Sequence, residues 1–137
     1  MAFRKANTKV AMLVLHRYYI SFGSPNQSLQ GLRRIRKMAQ LSAKIIKEID
    51  EYIRKEGSPY GRWYVGIASD PQNRLFQDHN VSKENGWWIY QEAFSDTDAR
   101  AIEKFFLEQK GTQGGPGGGD SSTCFVYAYR ITDHTRE

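Results

Sequence analysis

The chain has one cysteine, Cys124, so no internal disulfide forms, and none of its three histidines stands with that cysteine at zinc-ligand spacing. Its apolar stretch at 11–15 stops at His16 and Arg17, too short for a signal-peptide core or a membrane span. A reducing cytoplasm and no membrane partner are expected. Only one acidic residue, Glu103, is a candidate metal ligand, which argues against a two-metal centre needing several carboxylates. The glycine-rich stretch 111–123 lacks the lysine and the spacing of a phosphate-binding loop, so it reads as a connector between elements. No internal repeat is visible. What is present suits one domain with an appendage: 137 residues, 26% charged and 39% hydrophobic, with tyrosine and tryptophan supplying much of the apolar mass.

Charge is unevenly spread. Residues 1–57 carry 12 Lys and Arg against 4 acids, whereas residues 58–137 carry 8 against 11. Within the basic part, Arg33, Arg34, Arg36 and Lys37 cluster, and such a cluster is either a solvated helix face or a source of phosphate attraction for a nucleic-acid partner. Residues 9–22 fit a helix or a strand, and a break follows at Gly23, Ser24, Pro25 and Asn26. From 32 to 56, Ile35, Met38, Leu41, Ile45, Ile46, Ile49, Tyr52 and Ile53 recur every three or four residues, closed by Gly57. Residues 1–57 therefore read as a basic helical arm and 58–137 as an α+β domain. The isoleucine stripe is too large to stay exposed and should lie against the sheet.

The domain is organised around the stretch 63–79, WYVGIASDPQNRLFQDH. Trp63, Val65 and Ile67 alternate with Tyr64, Gly66 and Ala68, as in a short strand with an apolar face and a lone tyrosine among small residues on the other, a side that reads as open. Ser69 or Asp70 before Pro71 is a helix start, and it puts Arg74 near the first turn, where the helix dipole favours anions and gives a cation no reason to be. Downstream, Ser95 with Asp98 resembles a capping box opening a helix to about Gln109. On that helix Glu103 falls among Ala99, Ile102, Phe106 and Leu107, while Arg100, Lys104 and Glu108 take the solvent side. A carboxylate on an apolar face needs a partner, either Arg74 in a salt bridge or a metal ion.

Tyr64-Val65-Gly66, Arg74 eight residues past the glycine, and a later helix with a lone glutamate together resemble the GIY-YIG nuclease domain over residues 63–110. The resemblance implies hydrolysis of a nucleic-acid phosphodiester, DNA in the first instance, with one Mg²⁺ or Mn²⁺ held by Glu103. It further implies that Arg74 neutralises phosphate and that Tyr64 is the tyrosine of the second half-motif. A histidine or tyrosine commonly follows the arginine by four residues in that family; here that place holds Asp78, and His79 comes one later. The first half-motif, a strand some ten residues before the second tyrosine, is not visible.

A sheet nonetheless needs a neighbour for 63–68, and 124–131, CFVYAYRI, alternates correctly and is reachable through the glycine-rich connector. It is expected to replace the missing strand in a circularly permuted arrangement, with Tyr127 or Tyr129 as the replacement catalytic tyrosine, or else with both packed in the core. The whole is expected to be a small, mostly antiparallel three-stranded sheet of 63–68, 88–94 and 124–131, with helices at 71–80 and 96–109. The tail from Thr132 is read as mobile. The rival reading is a nuclease-like domain without catalysis, acting as a nucleic-acid-binding or protein-interaction module.

Overall fold

The computed structural model describes residues 29–57, 59–115 and 118–137. The readings of 1–28 given above lie outside the described residues. Helix α1 (Leu29–Glu56) buries the stripe Met38, Ala39, Ser42, Ile45, Ile46, Ile49 and Ile53, and its outer face carries the i,i+4 pairs Lys44–Glu48 and Lys47–Glu51. Gly57 stops it at φ 101°, a left-handed conformation that a residue with a Cβ rarely adopts. After a 3₁₀ turn (Tyr60–Arg62) comes β1 (Trp63–Ala68), buried along its whole length.

Segment α2 opens as an α turn (Pro71–Asn73), with the Asp70 carboxylate accepting from the Asn73 amide and Pro71 at the first helical position. It then widens into a π turn (Arg74–Asp78), so the helix expected over 71–80 ends at Asp78. Strand β2 (Trp88–Glu92) is shorter than the 88–94 expected, and Trp87 lies just outside it. Helix α3 (Asp96–Phe105) also ends in a π turn (Phe106–Lys110), closed by Gly111 at φ 77°. Strand β3 (Phe125–Arg130) completes the set. No helix among the described residues is long and apolar enough to cross a membrane.

The sheet is antiparallel in the order β1-β3-β2. The last strand in sequence is therefore the central one, pairing Tyr64 with Tyr129 and Gly66 with Tyr127 on one side, and Tyr129 with Trp88 and Tyr127 with Tyr90 on the other. One face, formed by Trp63, Val65, Ile67, Val126 and Ala128, packs with the α1 isoleucines and with Ala99, Ile102 and Phe106 of α3. That contact makes the expected burial of the α1 stripe a fact. The other face gathers Tyr64, Ala68, Tyr127 and Tyr129 with Leu75 of α2 and Val81.

The free edge of β1 is covered by part of the glycine-rich stretch. The Gln113 amide donates to the Trp63 carbonyl at 2.8 Å, and the Val65 amide donates to the Gln113 carbonyl at 2.9 Å, so a sheet edge that would otherwise template foreign strands is paired. Gly114 must be glycine here, since a Cβ would meet the Val65 carbonyl oxygen at 2.9 Å.

Candidate active site

Three tyrosines from two adjacent strands share one face because residues two apart in a strand, and residues opposite each other in a pair, point the same way. The Tyr64 ring lies 5.1 Å from that of Tyr129 and 6.3 Å from that of Tyr127, both nearly parallel. This side of β1 is not open, as the alternation with small residues had suggested. Tyr64 is buried, with only 9% of its surface exposed, and the small neighbours make room for aromatic rings rather than for solvent. A Cβ on Gly66 would sit 2.5 Å from the Tyr127 hydroxyl.

His79 joins this cluster from the end of α2. Its Nδ1 lies 2.6 Å from the Arg136 carbonyl oxygen, and since a carbonyl only accepts, Nδ1 carries the proton. In the neutral ring Nε2 is then an acceptor, and the Tyr127 hydroxyl, 2.8 Å away, donates to it. The Tyr129 hydroxyl stands 3.0 Å from Nδ1. The π turn explains the position of His79. Its amide donates to the Arg74 carbonyl at 2.9 Å, an i→i+5 bond, so one extra residue is absorbed and His79 stands over Arg74 as a residue four later would in an α-helix.

The tail is part of the site, contrary to its reading as mobile. Arg136 donates its amide to the His79 carbonyl at 2.9 Å, and the Asn80 side chain donates to the His134 carbonyl at 2.8 Å. Asn80 has φ 55°, which turns the chain so that both bonds form. Nothing in the local pattern of 132–137 marks this docking, because its partners lie more than fifty residues away.

Arg74 is exposed and its Nη1 pairs with Asp78 Oδ2 at 2.9 Å, so the salt bridge considered for Glu103 goes to another carboxylate. Asp78 first, and then Tyr127 and Tyr64, raise the Arg74 pKa. Glu103 is half-buried, and among the described residues it has no ion-pair or hydrogen-bond partner. Burial raises its pKa above the usual glutamate range, and Arg100 only partly offsets this. Burial likewise raises Tyr64, against the opposing Gly115 amide, with the Glu103 charge adding to the rise. Tyr127 and Tyr129 are pushed up mainly by burial, and Tyr127 also feels Tyr64, Arg74 and Glu103. Both phenols are therefore protonated at neutral pH.

Tyr64, His79, Tyr127 and Tyr129 thus form one contact group drawn from β1, β3 and the end of α2, and the charges of Arg74 on α2 and Glu103 on α3 act on Tyr64 and Tyr127. The basic cluster does not join it. Arg33, Arg34, Arg36 and Lys37 are exposed on α1, the helix that packs on the opposite face of the sheet, and Arg34 lies over the Phe94 ring at 5.5 Å. Comparison of the chain with family models, with curated proteins and with solved structures finds no match.

The chemistry of the donors bears on a metal. No group of three His, Cys, Asp or Glu side chains capable of holding one is present among the described residues, which disfavours a self-contained protein cage such as zinc takes. A lone, partly desolvated carboxylate without a cationic partner instead fits Mg²⁺ or Mn²⁺, which keep most of their waters and commonly bind through one or two carboxylates plus a substrate phosphate.

Proposed function

We propose that the chain is a divalent-metal-dependent nuclease that hydrolyses DNA phosphodiester bonds with a one-metal centre at Glu103. The observation that carries this reading is the contact of Tyr64 with Tyr127 and His79 across β1 and a central β3, with the charges of Arg74 and Glu103 both acting on Tyr64 and Tyr127. This is the arrangement that a circularly permuted relative of the GIY-YIG domain would need, β3 standing where the first half-motif strand is missing. A reducing cytoplasm is the compartment that goes with it.

Glu103 would hold the metal, which when bound supplies Lewis-acid polarisation of the phosphate and stabilisation of the leaving oxygen. The remaining roles belong to side chains of this chain. Arg74 neutralises charge developing on the non-bridging phosphate oxygens, and its pairing with the exposed Asp78 is weak enough to be exchanged for phosphate. Tyr127 is a poor phenolate because burial raises its pKa, so it acts as a relay: its oxygen takes a proton from the attacking water while its own proton passes to His79 Nε2. The Arg136 carbonyl, accepting from Nδ1, holds the ring in the tautomer that leaves Nε2 free to receive that proton. Tyr64 packs against Tyr127 and His79 and orients both.

The test is nicking of supercoiled plasmid in Mg²⁺ or Mn²⁺, against chelator, by the parent and by Glu103→Gln. Metal-dependent nicking lost in the variant supports the reading. That no ready-made metal-ligand group stands among the described residues favours a second one, in which the same domain binds nucleic acid without cutting it. A parent inert toward every DNA form and both metals, yet retaining DNA in a salt-dependent way, selects that second reading.

A further inference from the structure

At the end of the sheet where β1 begins and β3 finishes lies a cleft of about 510 Å³, within the range of small-ligand sites. Its walls carry two arginines, Arg62 and Arg130, and the indole of Trp87, which is 37% exposed. Ile131, Gln113 and the carboxylate of Asp133 complete the part that matters here.

Three features distinguish this cleft from an ordinary surface hollow. First, no ion pair joins Arg62 or Arg130 to a carboxylate among the described residues, Asp133 included, so the cleft has two cationic groups against one acid and neither cation is neutralised. Second, the Arg130 guanidinium lies 5.0 Å from the centre of the Trp87 ring and donates to the Glu56 carbonyl at 3.4 Å, which fixes a cation and a flat ring together. Third, the position is built by the sheet. The Arg130 amide donates to the Trp87 carbonyl at 3.0 Å, the Ile131 amide donates to the Arg62 carbonyl at 2.8 Å, and Gln113 binds both the Gly61 carbonyl and the β1 edge. An anion beside a stackable planar group is what such a wall recognises.

We infer that this cleft is a nucleotide subsite, taking one phosphate on Arg62 and Arg130 and one unpaired base against Trp87. The inference rests on nucleic acid being the substrate and names its form, a strand with an accessible base. The Arg130 side chain projects to the face opposite Tyr129, so the cleft lies around the end of the sheet from the tyrosine cluster, and Ile131, which packs against that cluster and lines the cleft, joins the two. Duplex DNA, with its bases stacked inside, cannot offer a base to Trp87.

The probe is a fluorescein-labelled oligodeoxythymidylate of about twelve nucleotides, titrated into the full chain in chelator so that nothing is cut. Binding should quench tryptophan fluorescence, and Trp87→Phe should remove that quench. Arg62→Gln, a change at an exposed side chain, should weaken binding about tenfold and lower the slope against log salt by about one. Unchanged affinity in Arg62→Gln, a quench that survives Trp87→Phe, or inorganic phosphate competing as well as the oligonucleotide would each overturn the subsite. Because these readouts need no cleavage, a chain that nicks plasmid but fails them refutes the cleft alone. One that passes them but never cuts supports the cleft and refutes the nuclease reading.

Discussion

Gly66 and Tyr127 face each other across the antiparallel pair of β1 and β3, and the Tyr127 ring occupies the space a Cβ on residue 66 would need, 2.6 Å from its Cζ. The glycine is thus a negative image of the tyrosine. Gly66→Ala must displace a ring that is 2% exposed and bonded to His79, at a cost of about 1–3 kcal/mol of overpacking. Urea unfolding should show that loss, and cleavage should fall with it. A variant as stable as the parent would mean that Tyr127 is free to move and that its placement is not imposed by β1.

Tyr127→Phe tests the relay. Removing the hydroxyl leaves His79 Nε2 buried without its donor, costing about 1–3 kcal/mol, and it deprives the water of its proton acceptor, costing about 10²–10⁴ in rate. Tyr129→Phe removes a longer contact at 3.0 Å to Nδ1, a nitrogen already bonded to the Arg136 carbonyl, and should leave the rate within about tenfold. The two phenylalanine variants, assayed side by side by plasmid nicking, should therefore separate. Equal rates would assign the role to neither.

Glu103→Gln should lower metal-dependent cleavage by about a thousandfold or more, because Lewis-acid stabilisation is worth several kcal/mol. The fold should survive. Since burial raises the Glu103 pKa, the ionised carboxylate opposes folding, and the sign of its contribution follows: stability is lost as pH rises from the ordinary glutamate range through the raised folded value. Glutamine carries no such loss, so the variant should unfold at slightly higher urea than the parent at neutral pH. Mg²⁺ or Mn²⁺ should stabilise the parent against heat and leave the variant unmoved.

Asp98 gives a pH dependence independent of the site. It is fully buried, Ser95 donates to its Oδ2 at 2.9 Å, and its Oδ1 has no partner. Burial raises its pKa to about 6 from the model-peptide value of 3.8. A raised carboxyl stabilises the fold when protonated, so its contribution is complete below about pH 4, falls between about 4 and 6, and is absent above. Asp98→Asn keeps the helix cap without the charge. It should be more stable than the parent at pH 7 by about 1–3 kcal/mol and lose that advantage at pH 4, the favourable helix dipole setting the lower bound. A pH-independent difference between the two would show that Asp98 stays ionised.

Replacing Arg33, Arg34, Arg36 and Lys37 together by glutamine should flatten the salt dependence of DNA binding if α1 contributes phosphate contacts. Their place on the helix behind the sheet restricts this to nucleic acid that wraps the domain. A slope identical to the parent's would make the cluster a solvated face.

Local chemistry was enough to determine the elements. The stripe of α1, the alternation in β1 and β3, Asp70 before Pro71, and Ser95 with Asp98 each act over a few residues, and each produced the helix or strand its pattern implies. Glu103 also stood out in the sequence, because a carboxylate on an apolar helix face breaks a short-range rule. The strand order was partly legible, since 124–131 had the right alternation and a connector long enough to return it to β1. Only the tertiary structure decided the rest. That Tyr64 is buried, that the tail closes over His79, and that Arg62, Trp87 and Arg130 share one wall all depend on contacts between distant segments. The π turn is the sharpest case: one residue of extra length sets His79 over Arg74, where its ring meets Tyr127 and the Arg136 carbonyl, partners that no local pattern in 71–79 marks.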